Sequence, residues 1–328
     1  MKILVTGATG YIGGAAAKAL VRSGHQVLGL ARSESSAARL RAAGIPPLPG
    51  DFLDKASLAK AVEAVDAVVS TASVAAVEAT PRGFADDQTA VDVMLDAMGG
   101  TGKALIFTSG SAVVGTFGHG EASENVFDET VALPLPKDVV VPAGAEVPEM
   151  LIAGLGAAMA ARIQTEKDVL RAVGIRGMVV RPGLVYGHGA SYDIPGLIAM
   201  AKANSAAPHL GQGALRQGYV HVDDLAELYR LAVEHGEAGA TFHGVTDEVS
   251  LGDLARAVSR LTGAGDRTDS FTLAQMFAAG GAIGISLSLN KRLSSEKTRG
   301  ALGWKPTRTD LLEDVAHGSY AVAFAKGA

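Results

Sequence analysis

The 328-residue chain predicts a doubly wound parallel α/β sheet with a smaller C-terminal lobe, and three observations predict it. Short apolar runs alternate with amphipathic stretches as far as residue 182, the pattern of a parallel sheet covered by helices. The first apolar run ends on a glycine cluster, VTGATGYIGG, that leads straight into a helical pattern. Beyond residue 182 the alternation loosens, which marks a second, less regular unit.

Taken in order, KILVT (2–6) is a short apolar run and reads as a buried strand. A helix follows from Tyr11 to about Arg22, where Gly24 stops it. Further strands are expected at 26–31, 66–71, 103–108 and 175–181, with a weaker one at 46–50 that its prolines interrupt. Helices are expected at 35–43, 55–64, 84–98 and 150–173. The segment 110–149, rich in Gly, Pro and acidic residues, reads as a long loop over the site. Beyond residue 182 helices are expected at 193–203, 223–235, 251–262 and 309–325. Residues 1–182 and 217–246 are therefore assigned to the sheet domain, and 183–216 and 247–328 to a substrate lobe.

Composition excludes several functions. With 48% hydrophobic and 19% charged residues the chain is compact rather than disordered. A net charge of −5 without any basic run disfavours nucleic acid. There is no cysteine, and the eight histidines are scattered without an HExxH pair, so no metal site is expected. The longest uncharged apolar run, 150–161, is too short to span a membrane, and the glycine cluster cuts the N-terminal apolar run too early for a signal peptide. A soluble cytoplasmic protein with a small-molecule substrate is the expectation.

The glycine cluster carries the first chemistry. Gly7 suits a tight turn, Gly10 lets a pyrophosphate approach the backbone, and Gly13 lets the helix pack on the strand. The helix N-terminus, with Thr9, Tyr11 and Ile12 beside the glycines, attracts phosphate charge. This GxxGxxG spacing resembles the extended, epimerase/dehydratase-like branch of the short-chain dehydrogenase/reductase superfamily, whose sheet is a Rossmann fold. GDFLD (50–54), STAS (70–73), RPGLVYG (181–187), GYVHVDDLA (218–226) and ALGWKP (301–306) extend the resemblance along nearly the whole chain. It implies cofactor contacts from Asp51, Phe52, Thr71, Ala72, Ser73, Pro182 and Val185. After the second strand, where an NAD-binding fold usually has Asp or Glu, this chain has Arg32 and Ser33. A cation and a hydroxyl suit a 2′-phosphate, so NADP is expected over NAD, although Glu34 stands beside them.

The resemblance also implies a Ser/Tyr/Lys machinery in which a helical YxxxK pair exchanges a proton with the substrate. No YxxxK occurs here in any register. Taking Glu166 as the glutamate that commonly follows the lysine by four places puts Arg162 at the lysine position and Ala158 at the tyrosine position. Arg162 can hold charge but cannot relay a proton. Gly110 occupies the usual serine position, flanked by Ser109 and Ser111, which serve either as replacements or as ordinary loop hydroxyls. Tyr186 is the leading replacement acid, with structural packing as its alternative role; His188 and His119 follow. The apolar helix 150–161 is expected to be buried on all sides, and with 84–98 it resembles a homodimer interface.

Related families often take nucleotide sugars. Here the usual asparagine after the sixth strand is Leu184, and the usual diphosphate-binding arginine is Gln217, with Arg216 one place off. A smaller, less charged ligand is expected. The expected function is an NADP-preferring oxidoreductase on a small carbonyl or alcohol, with an unconventional proton donor. A non-catalytic redox sensor and a nucleotide-sugar epimerase/dehydratase are the alternatives.

Overall fold

The computed structural model describes residues 1–78, 80–133 and 149–324. The first half runs β1 (Lys2–Thr6), α1 (Tyr11–Arg22), β2 (Gln26–Ala31), α2 (Glu34–Ala42), β3 (Pro47–Pro49), α3 (Lys55–Glu63), β4 (Ala67–Ser70), α4 (Ala75–Glu78), α5 (Pro81–Met98) and β5 (Ala104–Thr108). After a 3-10 turn at Ser111–Val114 come β6 (Thr116–Phe117), α6 (Glu149–Arg171), β7 (Arg176–Pro182), β8 (Leu184–Gly187) and β9 (Ala190–Ser191). The remainder is α7 (Ile194–Asn204), β10 (Ala207–Leu210), β11 (Arg216–His221), α8 (Val222–His235), β12 (Thr241–Gly244), β13 (Asp247–Ser250) and α9 (Leu251–Leu261). It closes with β14 (Thr268–Phe271), α10 (Leu273–Leu287), β15 (Leu289–Asn290), α11 (Glu296–Leu302), α12 (Leu311–Ala316) and α13 (Ser319–Phe324).

Seven parallel strands form the main sheet in the order β12-β7-β5-β4-β1-β2-β3. The chain walks one way from β1 through β3 and the other way from β4 through β12. The crevice that opens between β1 and β4 is the place where such sheets take ligands. Alternation along β1 sends Ile3 and Val5 into the core under α1 and α8, and Leu4 into the opposite core with Leu58, Met94 and Val169.

Prolines weakened the sequence signal for β3, yet the strand forms because it lies at the sheet edge, where a missing N–H costs little. Helix α5 begins at Pro81 rather than at 84: Thr80 accepts from the Gly83 N–H, and proline fits the first helical turn. The expected helix 309–325 is broken into α12 and α13: His317 leaves helical geometry at the end of α12, and the Asp314 carboxylate accepts from Ser319 N and Oγ at the start of α13.

The second lobe is built on a four-stranded sheet, β13-β11-β8-β9, and a core containing Leu184, Tyr219, Ile198, Leu254 and Leu287. Strand β11 therefore pairs in this second sheet, while α8 and β12 belong to the main one. The expected loop 110–149 contains the 3-10 turn and β6, which pairs with β15; its residues 134–148 lie outside the described residues. Among the described residues no helix is long and apolar enough to cross a membrane.

Candidate cofactor and active site

The turn after β1 is shaped for close approach. Gly7 has φ +72°, and a β-carbon there would lie 2.8 Å from Ala72 N. At Gly13 it would lie 2.4 Å from both Gly7 O and Thr71 Oγ1, so only glycine lets α1 sit this near the strand ends. Gly10 is the N-cap of α1 and offers no side-chain cap, and no acidic residue stands in the first turn. The helix thus presents uncapped N–H groups and partial positive charge to the crevice, which fits a diphosphate. Thr71 Oγ1 donates to Thr6 O at 2.6 Å and Ala72 N donates to Thr6 Oγ1, locking the floor of the crevice. The Tyr11 phenol donates to Gly187 O (2.8 Å) and Ala190 O (3.0 Å), tying α1 to the β8–β9 turn.

At the end of β2, Arg32 is exposed and, among the described residues, has no ion-pair partner. Glu34 is held by Arg41 at 2.6 Å, so its charge is spent away from Arg32. The Ser33 hydroxyl caps α2 through Ser36. Half-buried Asp51 accepts from Leu53 N at 3.0 Å, and Phe52 packs against the adjacent core.

Helix α6 carries the residues that the resemblance aligns with the tyrosine and lysine. Glu166 makes a fully buried ion pair with Arg181 of β7 at 2.6 Å, which fixes the register of α6 against the sheet. Two turns earlier Ala158 is buried and offers no proton. Arg162 reaches Asp87 Oδ2 at 3.2 Å, lies over the rings of Phe84 and Phe107, and donates to Thr108 O. Asp87 also accepts from Ser73 Oγ at 2.5 Å and from Val74 N at 2.6 Å. Burial pushes the Asp87 carboxyl above its ordinary range, against the pull of Ser73 and Arg162. Ser73 and Arg162, expected on the cofactor and at the reaction centre, are thus joined into one knot by Asp87. Helix 150–161 is not buried on every side, for Ala153 and Ala157 are exposed.

The other candidates are spread out. Ser109 Oγ is buried and bonds to no described residue, while its N–H donates to Val180 O. Ser111 is buried at the start of the 3-10 turn. Pro182 ends β7, and Val185 lies in the core beneath the crevice. Tyr186 is buried edge-on to Tyr219 and His221 and donates its phenol to Arg308 O at 3.1 Å; burial raises its pKa further. That proton is committed to the second lobe, which weighs against Tyr186 as the acid. His119 is exposed in the loop.

Although no metal site was expected, His188, His221 and Asp223 bring one ligand atom each to within 4.8 Å of one another. Each is already engaged. His188 Nε2 lies 3.1 Å from both Asp223 oxygens, His221 Nδ1 accepts from Asp223 N, and Arg308 approaches Asp223 at 3.4 Å. Sequence spacing hid this cluster because residues 188 and 223 meet only through the β8–β11 pairing. Asp87 was missed for a similar reason: its partner Arg162 lies 75 residues away and meets it only in the fold.

Residues 3–135 and 156–245 match the NAD dependent epimerase/dehydratase family. The chain belongs to this family. It is 30% identical to an uncharacterized protein of Schizosaccharomyces pombe over 98% of this chain and 100% of that one. It is 27% identical to the 3-diazoavenalumate denitrifying reductase of a Streptomyces species, over 94% and 96% of the two chains. The fold is shared with a dTDP-glucose 4,6-dehydratase from Streptomyces venezuelae bound to NAD (TM-score 0.71, 20% identity, 100% and 98% coverage). It is shared equally with a Thermus thermophilus UDP-glucose 4-epimerase in complex with NAD (TM-score 0.68, 20% identity, both chains covered completely). The turn at Gly7, Gly10 and Gly13 has the shape of a diphosphate cradle, and no tyrosine of the sequence is followed four residues later by a lysine.

Proposed function

We propose that the protein is an NADP-preferring oxidoreductase acting on a small, weakly charged substrate with a non-standard proton donor. The observation that carries this reading is the contrast between an intact cradle at Gly7, Gly10 and Gly13 and the buried Ala158 where a phenol would stand. When bound, the cofactor supplies a hydride donor or acceptor. The chain's own work is then to hold the diphosphate at the α1 N-terminus and a 2′-phosphate at Arg32. Ser109 Oγ, buried without a partner among the described residues, is the proposed donor to a substrate oxygen. Gln217, whose amide is spent on the Leu287 and Leu289 carbonyls, brings no cation to the usual diphosphate position, which weighs against a sugar nucleotide. The similarity to a denitrifying reductase over nearly the whole chain supports reductive chemistry on a small molecule. A homodimer through α5 and α6, which pack side by side, belongs to the same proposal; a monomer mass in light scattering would reject it.

Calorimetric titration with NADP+, NADPH, NAD+ and NADH tests the reading. The expected result is tight, comparable binding of both phosphorylated forms, and at least a tenfold loss in Arg32→Ala that spares NAD+. Arg162 locked onto Asp87 favours a second reading, a non-catalytic redox sensor. A tenfold preference for one redox form would support that reading instead.

A further inference from the structure

On the second-lobe sheet lies a polar group the reading above does not use. Lys291 is bridge-paired with Gln217, and Gly218 N donates to Lys291 O at 3.1 Å. Strand β13 pairs with Arg216–Tyr219 of β11, while β8 pairs with Tyr219–His221. A strand has two edges, so Lys291 continues the edge that β8 occupies, next to Gly183. Paired residues project to the same face, and alternation adds Tyr219 and its partner Leu184 to the face of Gln217 and Lys291.

Both polar side chains on this face are buried and incompletely bonded. Lys291 is 1% exposed and its Nζ donates to Ser286 Oγ at 2.8 Å. An ammonium has three donors, and among the described residues no carboxylate lies within ion-pairing distance of this one. Gln217 is fully buried, its NH2 bonded to two carbonyls, and its Oε1 has no donor among the described residues. Burial brings the Lys291 pKa down to about 7, with Asp193 the one charge that pulls it back up. The polar pair lies beside an apolar wall. Phe117, paired with Leu289, meets Phe277 edge-on at 5.9 Å, and Leu287 belongs to the same core.

We infer that Lys291 and Gln217 form a subsite for the acid group of a small, largely apolar carboxylic acid, the substrate class of the oxidoreductase proposed above. One acid oxygen accepts from Lys291. Where the acid keeps its proton, its O–H donates to Gln217 Oε1, which has no donor among the described residues. A phosphate fits less well, because the subsite has a single cation and Asp193 bears on it. This inference rests on the oxidoreductase reading, and the two can fail separately.

The test is calorimetric titration of the full chain, saturated with NADP+, with cinnamate and with methyl cinnamate at pH 7. The expected result is that the acid binds at least tenfold more tightly than the ester, and that this preference falls below twofold in Lys291→Met and Lys291→Gln. Equal affinities in the wild type, no binding of either probe, or a preference retained in a folded variant would overturn the subsite. Failure of NADP+ itself to bind defeats the oxidoreductase reading. NADP+ binding without acid preference defeats only the subsite.

Discussion

Replacing Lys291 with methionine should change how stability depends on pH. Methionine fills similar space without the charge, so Lys291→Met isolates the titration of one group. In the unfolded chain this lysine titrates near 10.4, whereas burial lowers it to about 7 in the folded protein. Below pH 7 both states hold the proton, and the wild type carries a constant cost of burying an ammonium. Above pH 7 the folded state gives up the proton while the unfolded state keeps it. Stability of the wild type relative to the variant then rises by about 1.4 kcal/mol per pH unit until the unfolded lysine titrates. Between pH 7 and pH 9 the wild type should gain about 2–3 kcal/mol on Lys291→Met, and at pH 6 the variant should be the more stable protein. Asp193 is itself buried with a raised pKa that the Lys291 charge pulls down, so the same comparison made in an Asp193→Asn background removes its titration. Urea denaturation of both proteins at pH 6, 7, 8 and 9 measures the difference. A difference that stays flat over that range would mean Lys291 keeps its charge when folded, and would refute the reasoning.

Two further outcomes follow from the packing. Arg181→Met leaves Glu166 buried without its partner and should destabilise the protein by about 3–5 kcal/mol, much of which the double variant with Glu166→Leu recovers; equal urea midpoints for wild type and Arg181→Met would contradict this. Gly13→Ala places a methyl 2.4 Å from Gly7 O and Thr71 Oγ1, costing about 1–3 kcal/mol and at least tenfold in NADP+ affinity; an alanine variant that melts and binds like wild type would show that the turn can give way.

What the sequence determined by itself is local. The short apolar runs that end in turn residues name six of the seven main-sheet strands through β7, because a buried parallel strand must be apolar on both faces. The glycine spacing locates the cofactor turn, since both the positive φ of Gly7 and the tight helix approach at Gly13 act between residues close in the chain. The absence of YxxxK is likewise a statement about one helix. Tertiary structure decided the partners. That Asp87 captures Arg162 and Ser73, that Tyr186 donates to Arg308 O, and that Lys291 joins the edge of β11 beside Gln217 depend on contacts across 75, 122 and 74 residues. Periodicity and spacing report which face a residue occupies, but a buried polar group takes its role from whatever the fold brings opposite it. Asp87 and Lys291, for which the sequence carries no signal, become, once folded, part of a locked ion pair and a buried lysine whose pKa falls to about 7.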